Sequence, residues 1–280
     1  MLPTQLFAFG FGFVATDLAR LLRSDGVSAS GTVRSAASAA PLRSQGWAIS
    51  LWPGPDPAPS EGAAWLISIP PDEAGCRVFR AFEDRSASAS WIGYLSTTGV
   101  YGDLSGRWAF EETPLSPQSR EAINRARAEE QWLNAGANIF RLPGIYGPGR
   151  SQLDRVRETS ARRIVKPGQV FSRTHVADIA SALHLAMLKN SPEHIFNICD
   201  DEPAPADEVL AYAAQLLNIE PPPAIAFEDA NLSPAAQRFY AECKRVSNAK
   251  AKAALGWRPR FPTYREGLLD CLQAERAAST

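Results

Sequence analysis

Apolar positions fall into short continuous runs separated by stretches in which they recur at helical spacing. Leu6 to Phe9, Trp47 to Leu51, Ala63 to Ile69 and Trp91 to Leu95 have the length and content of strands, and Val27 to Val33 reads as a further strand after the first helix. Ala63 to Ile69 is apolar on both faces, as strands inside a parallel sheet are. After the first run, Val14, Leu18, Leu21 and Leu22 mark one face of a helix. Asp72, beyond Pro70-Pro71, is placed to cap a helix running to about Ala87. Strands alternating with helices across short loops predict an α/β fold with a doubly wound parallel sheet. Further on, the spacing predicts helices over 152–161, 176–188 and 207–217, and short ones near 233–241, 246–255 and 263–274. Short strands are expected at 162–166 and 195–198, the latter returning to the sheet. Residues 1–150, with 175–200 rejoining them, are expected to form the sheet domain. Residues 151–174 and 201–280 are expected to form a smaller, mainly helical lobe. Phe239, Tyr240, Trp257, Phe261 and Tyr264 read mainly as core.

Between the first strand and the first helix sit Gly10, Gly12 and Ala15, spaced G-x-G-x-x-A. A strand that turns tightly into a helix can dock a dinucleotide diphosphate. Gly10 permits the turn, Gly12 admits the phosphates, and Ala15 keeps the helix close to the strand. The alternative is turn chemistry alone. In a Rossmann sheet of this kind, ligands lie beyond the C-terminal ends of the strands. That makes Gly10, Gly12, Phe13, Val14, Arg34, Ser68, Ile69, Pro70 and Ser96 candidate cofactor contacts. The residue after the second strand meets the adenosine ribose, where an acid suits NAD and an arginine suits the 2′-phosphate of NADP. Arg34, followed by Ser35, therefore favours NADP(H), unless it is a solvated side chain at a strand end.

The bulk numbers narrow the classes of partner. A length of 280 residues allows one large α/β domain or one domain plus a small lobe. With 29 basic and 30 acidic residues, net charge −1, nothing draws the chain generally to nucleic acid or to an anionic membrane. Cys76, Cys199, Cys243 and Cys271 form no C-x-x-C pair, which suits reduced thiols in a cytoplasmic protein and no metal site. The first residues read as no signal peptide, and no apolar run approaches the ~20 residues of a membrane span. The proline-rich runs at 53–59 and 221–223 read as stiff loops. Arg162, Arg163, Lys166 and Arg173 form a basic cluster, which suggests a small anionic substrate, a phosphate or carboxylate; a solvated basic face is the alternative.

Five further motifs occur in one register. Ser96-Thr97-Thr98-Gly99-Val100-Tyr101-Gly102 resembles the S-S/T-x-x-V-Y-G strand end of extended short-chain dehydrogenases/reductases, the NAD(P)-dependent epimerase/dehydratase family. Glu111-Glu112-Thr113-Pro114 with Pro117 resembles its E-x-x-P…P loop. Arg141-Leu142-Pro143-Gly144-Ile145-Tyr146-Gly147-Pro148-Gly149 resembles its R-P-x-x-x-Y-G-P-G stretch, which implies that Pro143 and Gly144 lie beside a nicotinamide. His175-Val176-Ala177-Asp178-Ile179-Ala180 resembles a V-x-D-x-A helix start. Lys250 with Leu255-Gly256-Trp257-Arg258-Pro259 resembles the C-terminal K…L-G-W-x-P.

The resemblance implies an oxidoreductase, epimerase or dehydratase acting on a small, sugar-like or anionic molecule, commonly as a homodimer. It also implies three catalytic groups. A Ser or Thr hydroxyl polarises the substrate oxygen; a Tyr, four residues before a Lys, relays the proton while hydride moves. Thr97 meets the hydroxyl position. Glu121 stands at the Tyr position and Arg125 at the Lys position, so the Tyr-Lys pair is degraded. A carboxylate beside an arginine stays ionised and donates protons poorly. An i, i+4 pair on the helix surface explains the same two residues without catalysis. Tyr146, or Thr97 through a water, is then a candidate proton relay, and Arg125 could contact a ribose or phosphate. Tyr146 is more often a packing residue in this motif, and His175 reads as a capping or packing histidine. The alternative to an enzyme is a non-catalytic NADP(H)-binding sensor or regulatory protein.

Overall fold

The computed structural model describes residues 2–54, 59–189 and 191–278; residues 55–58 of the first proline-rich loop lie outside the described residues. Seven strands form one sheet: β1 (Gln5–Phe9), β2 (Ser28–Val33), β3 (Ala48–Leu51), β4 (Ala64–Ile67), β5 (Trp91–Thr97), β6 (Asn138–Leu142) and β7 (Ile195–Asn197). Their order is β7-β6-β5-β4-β1-β2-β3, and every pairing is parallel. The order reverses beside β1, so the crevice between β1 and β4 opens at the C-terminal strand ends.

Both faces of the sheet are covered. On one lie α1 (Phe13–Arg23) and α2 (Ala36–Ser44), with α6 (Val176–Leu188) packed on α1. Leu18, Leu22, Ile179 and Leu183 meet Leu6, Leu66 and Phe140 there. The other face takes α3 (Arg77–Phe82) and α4 (Arg120–Asn134), whose Trp132 packs with Val78, Trp65 and Ile139. A separate cluster holds the lobe, built from α5 (Gln152–Val156), α7 (Ala206–Leu216) and α10 (Tyr264–Ala278). The lobe also carries α8 (Pro234–Ala241) and a two-stranded ladder of 163–165 with 224–226. By contrast α9 (Ala249–Leu255), expected among the lobe helices, packs on α6 and β7 and sends Leu255 into the sheet's core.

Three local expectations are corrected. Asp72 caps no helix: its carboxylate accepts from Ala74 N and pairs with Arg77 and Arg80. Gly75 at φ +94° interrupts the chain, so α3 starts only after Cys76 and ends at Phe82, followed by a 3-10 turn. The helix expected over 152–161 stops at Val156, because the chain turns back to form the 163–165 strand. Phe239 is not core; it is 53% exposed, whereas Tyr240, Trp257, Phe261 and Tyr264 are buried.

Candidate active site

The turn after β1 is pinned from two sides. Gly10 N donates to Thr32 Oγ1 at 3.2 Å, Phe11 N to Thr32 O at 2.7 Å, and Ser68 Oγ to Gly10 O at 2.6 Å. Gly10 adopts φ +95°, and a Cβ there would stand 2.4 Å from Ser68 Oγ. Only glycine fits. Gly12 differs: a Cβ there would meet no protein atom within 4 Å. It begins α1, which has neither a side-chain cap nor an acid in its first turn. The first N–H groups of a helix have no intrahelical partner and carry its positive pole. The Gly12, Phe13 and Val14 backbone thus fits a dinucleotide diphosphate: it is an uncapped helix start with open space above its glycine. Ile69 flanks the Gly10 turn, and Pro70 beyond it is exposed. Arg34 is exposed at the end of β2, beside Ser35, which caps α2 by accepting from Ser38 N.

On the other side of β4 from β1, Thr97 ends β5. Its Oγ1 accepts from Gly99 N at 3.1 Å and caps the 3-10 turn Thr98–Tyr101, which leaves its own O–H free to donate. Thr97, Pro143 and Gly144 line a cavity of about 770 Å³ between sheet and lobe. Ser96, expected to meet the cofactor, is instead buried and donates to Glu129 Oε1 at 2.5 Å. That carboxylate forms a bidentate pair with Arg141, closest at 2.7 Å, both side chains at most 3% exposed. Arg141 also donates to Tyr101 Oη and to Glu111 O, and Glu111 Oε1 accepts from Asn197 N at 2.8 Å. Burial pushes the Tyr101 phenol up to about 12, so it stays neutral within this network. The acid and arginine of the motifs thus tie β5, β6 and β7 together beside Thr97.

The two residues at the proton-relay positions separate. Glu121 is exposed in the first turn of α4 and lines the cavity. Arg125 turns under it, donating to Leu95 O at 2.6 Å and Tyr94 Oη at 3.2 Å. The expected Glu121–Arg125 surface pair is therefore replaced by an arginine clamped on the strand. Tyr146 borders the cavity, but its hydroxyl is buried without a partner among the described residues and fills the space a Cβ at Gly267 would need. Burial and Asp200 raise its pKa, so it is a poor proton donor.

The basic cluster also divides. Arg162, Arg163 and Arg173 line the cavity, whereas Lys166 donates to Tyr240 O at 2.6 Å. His175 caps α6 by accepting Ala177 N, as a capping histidine should. Asp178 fixes the following chain, accepting from Arg260 N and Phe261 N. Asp201 pairs with Lys252 and Glu202 with Arg265, while Asp200 is buried; among the described residues no carboxylate, His and Cys cluster could hold a metal. Sequence reasoning missed Arg155, Arg238, Phe239 and Lys244, which complete the cavity wall. The adjacent Arg238-Phe239-Tyr240 on one amphipathic helix was the available signal.

Comparison with solved structures and curated proteins places this geometry. A functionally unknown conserved protein from Silicibacter pomeroyi is 43% identical, covers 97% of this chain and 99% of its own, and superposes with a TM-score of 0.92. The chain belongs to that protein's family. Its wider fold is that of extended short-chain dehydrogenases/reductases. The dTDP-glucose 4,6-dehydratase of Bacillus anthracis, in complex with NAD, shares it at TM-score 0.72 and 15% identity over 98% of this chain and 96% of its own. A Streptomyces 3-diazoavenalumate denitrifying reductase is 30% identical over 177 residues, 56% of this chain. The match covers 57% of that reductase, little more than half its length. No family model matches the chain. No helix among the described residues is long and apolar enough to cross a membrane.

Proposed function

We propose that this protein is an NADP(H)-dependent oxidoreductase of the short-chain dehydrogenase/reductase superfamily, acting on a small anionic molecule held between sheet and lobe. One observation carries the reading. The open, uncapped start of α1 follows the C-terminal end of β1, and the free hydroxyl of Thr97 stands at the C-terminal end of β5, the two strands that flank β4 in the parallel sheet. The backbone of Gly12 to Val14 would hold the diphosphate, Arg34 the 2′-phosphate, and Pro143 with Gly144 the edge of the nicotinamide. The bound nicotinamide supplies or accepts hydride. Thr97 orients the substrate oxygen by donating to it, its own lone pair being fixed by Gly99 N. With Tyr146 Oη buried, Thr97 hands on the proton through water that enters past Glu121. The reductase relative supports reduction over epimerisation. The test is a fluorescence titration with NADPH and NADH, followed by NADPH oxidation across a carbonyl panel. Saturable, NADPH-preferring binding and Thr97-dependent turnover are expected; no binding at millimolar cofactor removes the reading.

A second reading, a non-catalytic NADP(H)-binding protein, is favoured by the exposed Glu121 at the position of the family's tyrosine. NADPH oxidation proceeding equally in wild type and Thr97→Val would favour it.

A further inference from the structure

The wall of the cavity contributed by the lobe differs in kind from the sheet wall. Among the described residues six cations line the cavity against two carboxylates, Glu121 and Glu242, although the whole chain has a net charge of −1. Most of the cations are already engaged. Arg163 donates to Pro222 O, Arg173 to Phe171 O and Ala204 O, and Lys244 to Gly102 O. Arg155 and Arg238 are exposed guanidiniums with no hydrogen bond or ion pair among the described residues. Arg155 lies close enough to the Tyr240 phenol to work against the rise in pKa that burial causes there.

Beside these free cations is an aromatic platform. Phe239 stacks on Phe171 with ring centroids 4.1 Å apart and planes 9° from parallel. Tyr240 meets Phe171 edge-on at 5.5 Å. Phe239 nevertheless stays 53% exposed while lining the cavity. The rest of the lobe wall is mainly aliphatic, with Ile164, Leu210 and Leu232. A polyol ligand needs many neutral hydrogen-bonding side chains. This wall supplies free guanidiniums and apolar faces instead, with Gln152 and Tyr240 among its few neutral hydrogen-bonding side chains.

We propose that the ligand of this cavity is an aryl carboxylate: a planar ring lying on Phe239, with its carboxylate taken by Arg155 and Arg238. Guanidinium and carboxylate match as planar, bidentate partners, and an aromatic ring gains from an offset stack on Phe239. The inference rests on the oxidoreductase reading above, since the ring's substituent would have to reach Thr97 on the opposite wall.

The test is calorimetry on the full chain saturated with NADPH, with NADPH binding itself measured first. trans-Cinnamate should bind at least ~10-fold more tightly than neutral cinnamamide, the discrimination of one charge-assisted contact. Cyclohexanecarboxylate, which cannot stack, should also bind more weakly than cinnamate. Arg155→Gln with Arg238→Gln should abolish the preference for cinnamate over cinnamamide. Phe239→Leu should abolish the preference over cyclohexanecarboxylate. All three positions are exposed, so folding is not at stake. Normal NADPH binding with cinnamate no better than cinnamamide, or weaker than UDP or inorganic phosphate, would overturn the substrate class and leave the oxidoreductase reading intact. Failure to bind NADPH would overturn both.

Discussion

Replacing Gly12 by valine separates a turn from a binding cradle. A Cβ at Gly12 meets nothing within 4 Å, and the backbone there is extended, at φ −105° and ψ −154°. Its two backbone hydrogen bonds, Gly12 N to Gly10 O and Thr16 N to Gly12 O, involve no side chain. The free protein should therefore keep its stability to within about 0.5 kcal/mol, as a surface substitution does. The valine would, however, fill the space a diphosphate needs and keep it from the helix N–H groups. Losing one or two hydrogen bonds to a charged group costs about 1.5–3 kcal/mol each, or on the order of 10- to 10⁴-fold in affinity. Gly10→Ala is the counterpart. At φ +95°, with Ser68 Oγ 2.4 Å from the new atom, it should lower stability itself, by about 1–3 kcal/mol. The assays are urea unfolding and NADPH fluorescence titration on both variants. Gly12→Val that binds NADPH like wild type, or that unfolds as readily as Gly10→Ala, refutes the reasoning.

Four more outcomes are expected. Arg34→Asp should shift preference toward NADH by at least ~10-fold, read as a ratio of Kd values, because a carboxylate repels the 2′-phosphate and accepts from a 2′-OH. Thr97→Val should remove turnover while leaving NADPH affinity within about twofold; retained kcat would deny the hydroxyl its role. Glu129→Gln should destabilise the fold by about 3–5 kcal/mol in urea, since it leaves the Arg141 guanidinium buried without its carboxylate. Burial and Arg260 hold His175 neutral down to about pH 4, and Asp270 at 3.6 Å is too far for a hydrogen bond. The unfolded chain takes up that proton first, so the stability is present above about pH 6.5 and lost as pH falls from there toward 4. His175→Asn, which keeps a capping oxygen, should flatten this part of the pH–stability curve.

Six of the seven sheet strands were legible, most of them as short apolar runs, and the G-x-G-x-x-A turn fell where a strand meets a helix; Asn138–Leu142, broken by the polar Arg141, was not read as a strand. The motif residues were legible as a set, but their jobs were not. Ser96 looked like a cofactor contact because it sits at a strand end. Only the structure turns it inward to Glu129, because the side chains of a strand alternate between faces. Glu121 and Arg125 looked like a surface pair from spacing alone. Tertiary contact with Leu95 O and Tyr94 took the arginine away. Gly75 ended the helix expected from Asp72, a backbone effect that the helical spacing does not report. The cavity wall was the least legible part. Arg155 is distant in sequence from Arg238 and Lys244, and the three line one cavity only through the tertiary fold. Phe239 resembled any core aromatic, and its exposure comes from its place at the cavity rim.

The central claim is that the start of α1 cradles a diphosphate and that Thr97 borders the nicotinamide. A crystal structure of the protein soaked with NADP⁺ tests it most directly. The account predicts a diphosphate on the N–H groups of Phe13 and Val14, the 2′-phosphate at Arg34, and the nicotinamide ring beside the Thr97 side chain. A cofactor bound elsewhere, or none at saturating concentration, would contradict it.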